Sequence, residues 1–368
     1  MDAFIISACL VSGLYFFMIF RLIIFWFKRE NCNPADHSNL FITVVIPFRN
    51  EEKNLPVLLA SLQKQSWRKE SFEVIFIDDH SEDNSARIIK NSFEENYVII
   101  SLSDAETGKK TALKNGFSKA RGQMIVTTDA DCSFGSDWLS SFAQCYISSK
   151  PAMIAGPVDF VKPVGFFEKI QNLEFLSLVG TGASSINSGY PIFCNAANMA
   201  FDKKEYQKLE NPLFDKHSSG DDVFLLHGFA KAKKKIVYLN HRDSVVWTQP
   251  PAGISGFISQ RKRWASKSRY YREPVSIITA IIVFITSLAF LSTGFASFFS
   301  SVFLLPFLLI AGSKTIIDAI FLFQVTGFFN KRYLLWLLIP MQPLYVVYVS
   351  FIGIFGNTGT INWKGRKI

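Results

Sequence analysis

The sequence predicts an α/β domain built on a mostly parallel sheet, flanked by one N-terminal and about three C-terminal transmembrane helices. Two patterns and one bulk property predict it. Between residues 43 and 128 short apolar runs alternate with amphipathic ones, and long stretches almost without charge lie on either side of residues 40–272. In bulk, 49% of the chain is hydrophobic, with 37 Phe, while only 19% is charged, which is low for a chain wholly in water. A length of 368 residues leaves room for one α/β domain with a sizeable core and roughly a hundred residues more.

The N-terminal element comes first. Residues 3–27 carry a single charge, Arg21, and are long enough to cross a bilayer core, which needs about 20 apolar residues. A cleaved leader is not expected, because Asp2 stands where a basic start belongs and no small-residue cleavage site follows. Residues 1–30 therefore read as a retained anchor, and Asn31 to Asn39 as a short polar linker.

Thr43 to Ile46, Glu73 to Ile77, Tyr97 to Leu102 and Met124 to Thr128 read as buried strands. Between them, Leu55, Leu58, Leu59 and Leu62 share one helical face, and Ile88, Ile89 and Phe93 share another. This alternation implies right-handed β-α-β units and a parallel sheet, whose ligands gather at the carboxyl ends of the strands. Those ends are polar here: "IPFRNEE", "IDDHSED" and "TDAD". Ser81 or Asp83 needs no role beyond capping the next helix. Asp78, Asp79, Asp129 and Asp131 together are different, since four carboxylates converging on one sheet edge repel each other unless a cation or hydrogen-bond donors meet them.

Further on, "SSGDDVFLLHGFAKA" turns from small residues to apolar ones at helical spacing. Asp221 and Asp222 thus fall at a helix N-terminus, where the helix dipole favours an acid. In "GFISQRKRWASK", Gln260, Arg263 and Trp264 fall at i, i+3 and i+4 and share a helix face. Ile254, Phe257, Ile258 and Ala265 give that helix an apolar stripe for the bilayer surface or the core. Phe166, Phe167, Ile170, Leu173 and Leu176 form another helix, lying on a membrane surface or packed on the domain. After Pro274 the candidate spans are 275–296, 302–323 and 333–354, with Lys314 and Asp318 one turn apart and able to pair. Pro340 and Pro343 offer a break that would turn the last segment back and return the basic tail, "NWKGRKI", to the cytoplasm.

The formal charge of +9 is uneven. Lys28 and Arg29 follow the first span, Lys231 to Lys235 form a cluster, and Arg261, Lys262, Arg263, Lys267, Arg269 and Arg272 crowd the approach to the second. By the positive-inside tendency the middle of the chain is cytoplasmic, facing anionic headgroups or an anionic substrate. Basic residues that abut spans argue against nucleic acid as a partner. Five Cys without a C-x-x-C pair fit a reducing compartment and no structural zinc, and the five scattered His suggest no site.

Six segments, "VVIPFRNEEKNL", "FIDDHSEDNS", "TGKKTALKNGFSKARG", "TTDADC", "GDDVFL" and "QRKRW", occur in that order. The series resembles the signature motifs of membrane-bound family-2 glycosyltransferases with the GT-A fold, over about residues 43–272, closest in style to ceramide glucosyltransferase-like enzymes. The resemblance implies that Pro47, Arg49, Glu51, Asp78 and Asp79 surround the base and ribose of a UDP- or GDP-linked sugar. It implies a divalent metal, Mg²⁺ or Mn²⁺, held on the diphosphate by Asp131 foremost, with Asp129 near the ribose or the metal's waters; hard oxygen ligands suit either ion. Gly108, Lys109 and Lys110 open a helix whose N–H groups and ammonium groups suit phosphate, Lys109 above Lys110. The resemblance makes Asp222 the general base. Asp221 stands where the family more often has Glu, so its role is left open. Gln260, Arg263 and Trp264 match the Q-x-x-R-W motif that closes over the donor diphosphate, while Asn195 and Asn198 fall in a segment resembling the acceptor side.

The expected activity is therefore metal-dependent transfer of a sugar, with inversion, from a nucleotide-diphosphate sugar to a hydroxyl of a membrane lipid or lipid-linked glycan. A processive polysaccharide synthase is the alternative within the enzymes, and a catalytically silent nucleotide-binding scaffold subunit the alternative outside them. The expected layout is an anchor at 1–30, a cytoplasmic GT-A domain at 40–272, and a C-terminal transmembrane region at 274–368 in the cell inner membrane.

Overall fold

A computed structural model of the protein describes residues 2–28, 30, 39–92, 96–214, 219–356, 362–363 and 366–367. Residues 31–38 of the expected linker, Arg29, Phe93, His217 and the side chains of the basic tail lie outside the described residues. In chain order the elements are α1 (Asp2–Trp26), β1 (Ile42–Phe48), α2 (Leu55–Gln63), β2 (Phe72–Asp78), α3 (Ser85–Ser92), β3 (Tyr97–Ser101), α4 (Lys109–Lys119), β4 (Met124–Thr127) and β5 (Ser133–Phe134). There follow α5 (Trp138–Ser149), β6 (Met153–Ala155), β7 (Val158–Phe160), α6 (Phe166–Asn187), β8 (Met199–Asp202), α7 (Lys203–Gln207), α8 (Asp221–Lys231) and β9 (Ile236–Tyr238). Last come β10 (Val246–Thr248), α9 (Gly253–Ser268), α10 (Pro274–Ser297), α11 (Leu304–Phe328) and α12 (Leu338–Phe355).

The chain packs as two compact units, one of Arg29–Lys162 and Gly189–Gln249, the other of Met1–Lys28, Pro163–Ser188 and Pro250–Ile368. This differs from an undivided 40–272 domain. The reason is packing: α6 lies against α1 and α11, and α9 lies against α12, so both group with the apolar helices.

In the first unit β1 is central, paired in parallel with β2 on one side and β4 on the other, Val45 standing opposite Ile75 and Thr127. β3 extends the sheet in parallel beyond β2. Beyond β4, β8 is inserted antiparallel, then β6, with β9 parallel to β6. The strand order is β3-β2-β1-β4-β8-β6-β9. Because the chain runs outward through β2 and β3 and then returns to the far side of β1 as β4, the order reverses between β1 and β4. A sheet binds its ligands beyond the carboxyl ends at such a switch point. The residues of β2 and β4 are all buried, as continuous apolar runs require, whereas β3 is half-exposed because it ends the sheet. A small second sheet runs β5-β10-β7.

Helices cover the sheet with the faces that periodicity picks out. Leu55, Leu58, Leu59 and Leu62 of α2 are each 2% exposed or less, and Ala112, Leu113 and Phe117 of α4 are buried. The turn into β4 is tighter still. Gly122 donates its N–H to Thr43 Oγ1 (2.8 Å), which donates to Glu73 Oε1 (2.8 Å), and Arg121 Nε completes the group at 2.7 Å from Glu73 Oε2. A methyl on Gly122 would lie 2.6 Å from Thr43 N and 2.8 Å from Phe41 O, backbone atoms fixed by the entry into β1. Gly122→Ala is expected to destabilise the protein by about 1–3 kcal/mol, seen as a lower unfolding temperature by circular dichroism.

Among the described residues, the second unit contains four helices long and apolar enough to cross a membrane: Asp2–Trp26, Pro274–Ser297, Ser301–Phe328 and Arg332–Phe355. α12 runs without interruption through Pro343, with Pro340 in its first turn, so the prolines do not turn the chain back before Phe355. α6 divides along its length: Leu173 and Leu176 are fully buried, while Phe166 near its start is 58% exposed.

Lys314 and Asp318 pair as the spacing predicts, at 2.6 Å. Asp318 also accepts from Tyr15 Oη (2.8 Å) and Gln342 Nε2 (3.0 Å), and Lys314 donates to Gln342 Oε1 (2.8 Å), so one polar cluster joins α1, α11 and α12. Asp318→Leu strands the Lys314 ammonium, which is 2% exposed. It is expected to cost about 3–5 kcal/mol, visible as a fall in unfolding temperature in detergent, with most of the loss restored by adding Lys314→Leu.

Candidate active site

The loops after β1 and β2 brace each other. Asn50 takes a left-handed conformation (φ 52°) that Asn tolerates, its N–H meets Ser81 Oγ (3.1 Å), and its Oδ1 accepts from Glu82 N (2.8 Å). Glu51 N donates to Ser85 Oγ (2.8 Å) and Glu52 N to Asp83 Oδ2 (3.0 Å). Asp83 therefore joins two loops, and burial, which would raise its pKa, is outweighed by bonds from Ser85 and Glu52 that hold it below the usual range. Arg49 Nη1 donates to the Asp79 carbonyl (3.3 Å), and Asp78 Oδ1 accepts from Ser81 N (2.8 Å). Pro47 stands opposite Ile77 at the end of the β1–β2 pairing, half-buried.

The loop after β2 then meets the start of α4. Asp79, 3% exposed, accepts at Oδ1 from Gly108 N (3.1 Å). Gly108 has φ 96°, a conformation that a side chain would strain, so glycine is needed where the backbone turns its N–H onto the acid. The next residue carries the centre of the site. Lys109 Nζ lies 2.7 Å from Asp129 Oδ1, after β4, and 3.7 Å from Asp221 Oδ2, at the start of α8. Burial works against a charged Lys109, but Asp129, Asp221 and Asp222 hold its pKa well above the usual lysine range. In this structure Lys109 is thus bound by carboxylates.

Asp131 is at the same sheet edge, accepting at Oδ2 from Thr248 Oγ1 (3.2 Å) of β10. Burial, then the neighbouring Asp129 and Glu51 carboxylates, push its pKa up. Among the described residues no three His, Cys, Asp or Glu side chains form a ready metal cage. The residues nevertheless fit Mg²⁺ or Mn²⁺ of the kind that takes one or two carboxylates and completes its shell with phosphate oxygens and water. Asp131 is the available carboxylate, and Asp129 is shared with Lys109.

Asp222 is the second residue of α8, entered through Gly220 at φ 88°. Its Oδ1 accepts from Val223 N (2.8 Å) and its carbonyl from Cys194 Sγ (3.6 Å).

Two neighbouring residues have structural duties that differ from those the sequence suggests. Lys110 is buried, bonded to the carbonyls of Leu213 (2.5 Å) and Phe214 (2.9 Å) and held over the Phe224 ring, so it fastens the segment leading to α8 and is neither solvated nor open to phosphate. Asn198 is fully buried, accepting from Trp138 Nε1 (2.9 Å) and donating to the carbonyls of Pro157 and Ser244 (2.7 Å each), while Asn195 caps the turn before it. Neither side chain of Asn198 nor Lys110 is placed to meet an acceptor or donor directly. Thr248 and Ser85 were not foreseen, because a lone hydroxyl carries no pattern before the fold brings it to a carboxylate.

Gln260, Arg263 and Trp264 all lie on α9, in the helical unit. Between them, Arg261 forms a buried ion pair with Glu174 of α6. The one sequence sign of this pair is an isolated acid in the apolar run "NLEFLSL".

A family profile described as "Glycosyl transferase family 2" matches residues 43–209. Among curated proteins, an undecaprenyl-phosphate 4-deoxy-4-formamido-L-arabinose transferase of Proteus mirabilis is 39% identical over 93 residues, covering 24% of this chain and 28% of the relative. The glycosyltransferase AglE of Haloferax volcanii is 27% identical over 126 residues, 34% of this chain and 41% of the relative. The chain thus spans less than half the length of these relatives. Among solved structures, the mannosyltransferase PcManGT of Pyrobaculum calidifontis, in complex with GDP-Man and Mn²⁺, superposes with a TM-score of 0.59 at 16% identity, covering 97% of this chain and 99% of that one. Residues 43–209 thus match the model of glycosyl transferase family 2, and the sheet that carries the acidic cluster is a GT-A-like α/β fold.

Proposed function

We propose that the protein is an integral membrane enzyme that moves a sugar, with inversion, from a UDP- or GDP-linked donor to a hydroxyl of a membrane lipid or lipid-linked glycan. One observation carries the reading: Lys109 joins Asp129 and Asp221, acids from separate segments, at the switch point of the sheet, one residue from the Gly108 that holds Asp79. A site so rich in acids around a cation suits a diphosphate delivered with a divalent metal. The four long apolar helices support membrane insertion, and the basic residues beside them support a cytoplasmic catalytic domain.

On this reading Pro47, Arg49, Glu51, Asp78 and Asp79 hold the nucleoside, carboxylates accepting from ribose hydroxyls or a base N–H. Asp131, with Asp129, would hold Mg²⁺ or Mn²⁺, which would supply charge neutralisation for the diphosphate. Asp222 takes the proton of the acceptor hydroxyl as its oxygen bonds to the anomeric carbon. The bond from that carbon to the phosphate oxygen breaks, and the nucleoside diphosphate leaves with the electron pair. Lys109 keeps its proton throughout, so its positive charge stays beside the departing anion. Gln260, Arg263 and Trp264 are donor-diphosphate residues by the resemblance.

A second reading concerns the acceptor alone. The likeness to undecaprenyl-phosphate transferases favours a polyprenyl phosphate, whose oxygen is already ionised at neutral pH and needs no base.

The test uses the full-length protein in nanodiscs. With Mn²⁺ and a panel of UDP- and GDP-sugars, at least one donor is expected to release nucleoside diphosphate and to label a lipid extract. Failure of every donor to stabilise the protein or to be consumed would overturn the reading.

A further inference from the structure

Within "QRKRW" the resemblance gives tasks to Gln260, Arg263 and Trp264 and none to Arg261. Yet Arg261 is the buried one. It is 3% exposed, as is Glu174 opposite it. Two parallel donors of its guanidinium meet the Glu174 carboxylate, Nε at 3.1 Å from Oε1 and Nη2 on Oε2, the bidentate arrangement that suits arginine and not lysine. Nη1 donates to Oε1 of Gln260. The flat faces are used as well: the guanidinium carbon lies 4.2 Å from the centre of the Trp264 ring and 4.6 Å from that of Phe257.

An ion pair that only fastens α6 to α9 needs Glu174 and two nitrogens. The remaining nitrogen and one face go instead to two residues of the motif, while the guanidinium also bonds the Tyr348 side chain of α12. Gln260 has one acceptor atom, its amide oxygen, and arginine can only donate, so the bond fixes which way the amide points. With Oε1 turned onto Arg261, the two N–H donors of Gln260 face away from the guanidinium. The group they can recognise is an acceptor, such as a phosphoryl oxygen.

We propose that Arg261, anchored by Glu174, is a positioning residue that fixes the orientation of the Gln260 amide, with its N–H donors turned away from the guanidinium, and holds the Trp264 ring in place. This rests on the transferase reading of Gln260 and Trp264.

Three variants of the full-length protein in nanodiscs test it. Arg261→Lys keeps the charge but loses the planar fork, and is expected to raise the donor KM about tenfold with kcat nearly unchanged. The same loss is expected from Gln260→Ala, and the double variant is expected to be no worse than either single one. Gln260→Glu is the sharper probe: the carboxylate can still accept from Arg261, yet no donor remains and the KM rises as in Gln260→Ala. A merely structural Arg261 gives multiplying KM losses in the double variant, and a normal KM in Gln260→Glu removes the donor role of Gln260 on which the positioning depends; either result overturns the proposal. If wild type consumes no nucleotide sugar, the transferase reading fails by itself. The positioning claim is then decided by unfolding temperatures, where Arg261→Lys and Gln260→Ala are expected to be less than additive and full additivity would refute it.

Discussion

Asp222→Asn is expected to slow sugar transfer to a hydroxyl acceptor by about a thousandfold while changing donor affinity little. The amide has the shape of the acid and can still accept from Val223 N–H, so the start of α8 stays formed. What it cannot do is take a proton. Lys109 retains Asp129 and Asp221, so the cation at the centre of the site stays in place. Steady-state release of nucleoside diphosphate, together with titration of the donor by calorimetry, separates the two effects. The same variant decides the acceptor. A lipid phosphate has lost its proton before it binds, so with that acceptor the variant keeps its rate to within about tenfold. Equal rates in wild type and variant with a lipid alcohol would remove Asp222 from the chemistry.

Lys109→Met has the second largest expected effect, and on stability as well as rate. The ammonium lies among Asp129, Asp221 and Asp222, and without it three carboxylates face one another in a partly dry site. A loss of about 2–3 kcal/mol is expected, below the range for a fully buried pair because the Lys109 side chain is 23% exposed. A divalent cation can replace the missing charge. In EDTA the variant is expected to unfold several degrees below wild type, and Mn²⁺ is expected to recover part of that loss, raising the variant more than wild type. Because the folded pKa of Lys109 is raised, its contribution is in full force below the ordinary value of 10.5 and is lost only as pH rises through the raised one. Identical unfolding temperatures in EDTA would show that the acids do not need this lysine.

Much of the fold was legible because its signals are local. The runs that became β1, β2 and β4 are apolar on both faces but for a few residues such as Thr43 and Glu73, since a strand covered on both sides has no solvated face. The leucines of α2 repeat at helical spacing because only one side of that helix meets the sheet. Likewise the long uncharged stretches became the four apolar helices, and Lys314 met Asp318 because residues one turn apart share a face. Strand ends were readable too, as acids interrupt apolar runs at Asp78, Asp79, Asp129 and Asp131.

Partners distant in sequence were not legible. Thr248 reaches Asp131 across 117 positions, and Arg261 reaches Glu174 across 87. Lys110 illustrates the same limit: beside Lys109 in the chain, it points instead into the protein and ties down Leu213 and Phe214.

The amino-acid order by itself determined the elements, the apolar spans and which carboxylates end the strands, because periodicity and strand-end chemistry are written in neighbouring residues. Only the folded chain decided that β4 returns beside β1, so that Lys109 rather than open water neutralises Asp129 and Asp221. Which charges meet depends on strand order and helix packing, and these are set by the burial of many distant side chains at once.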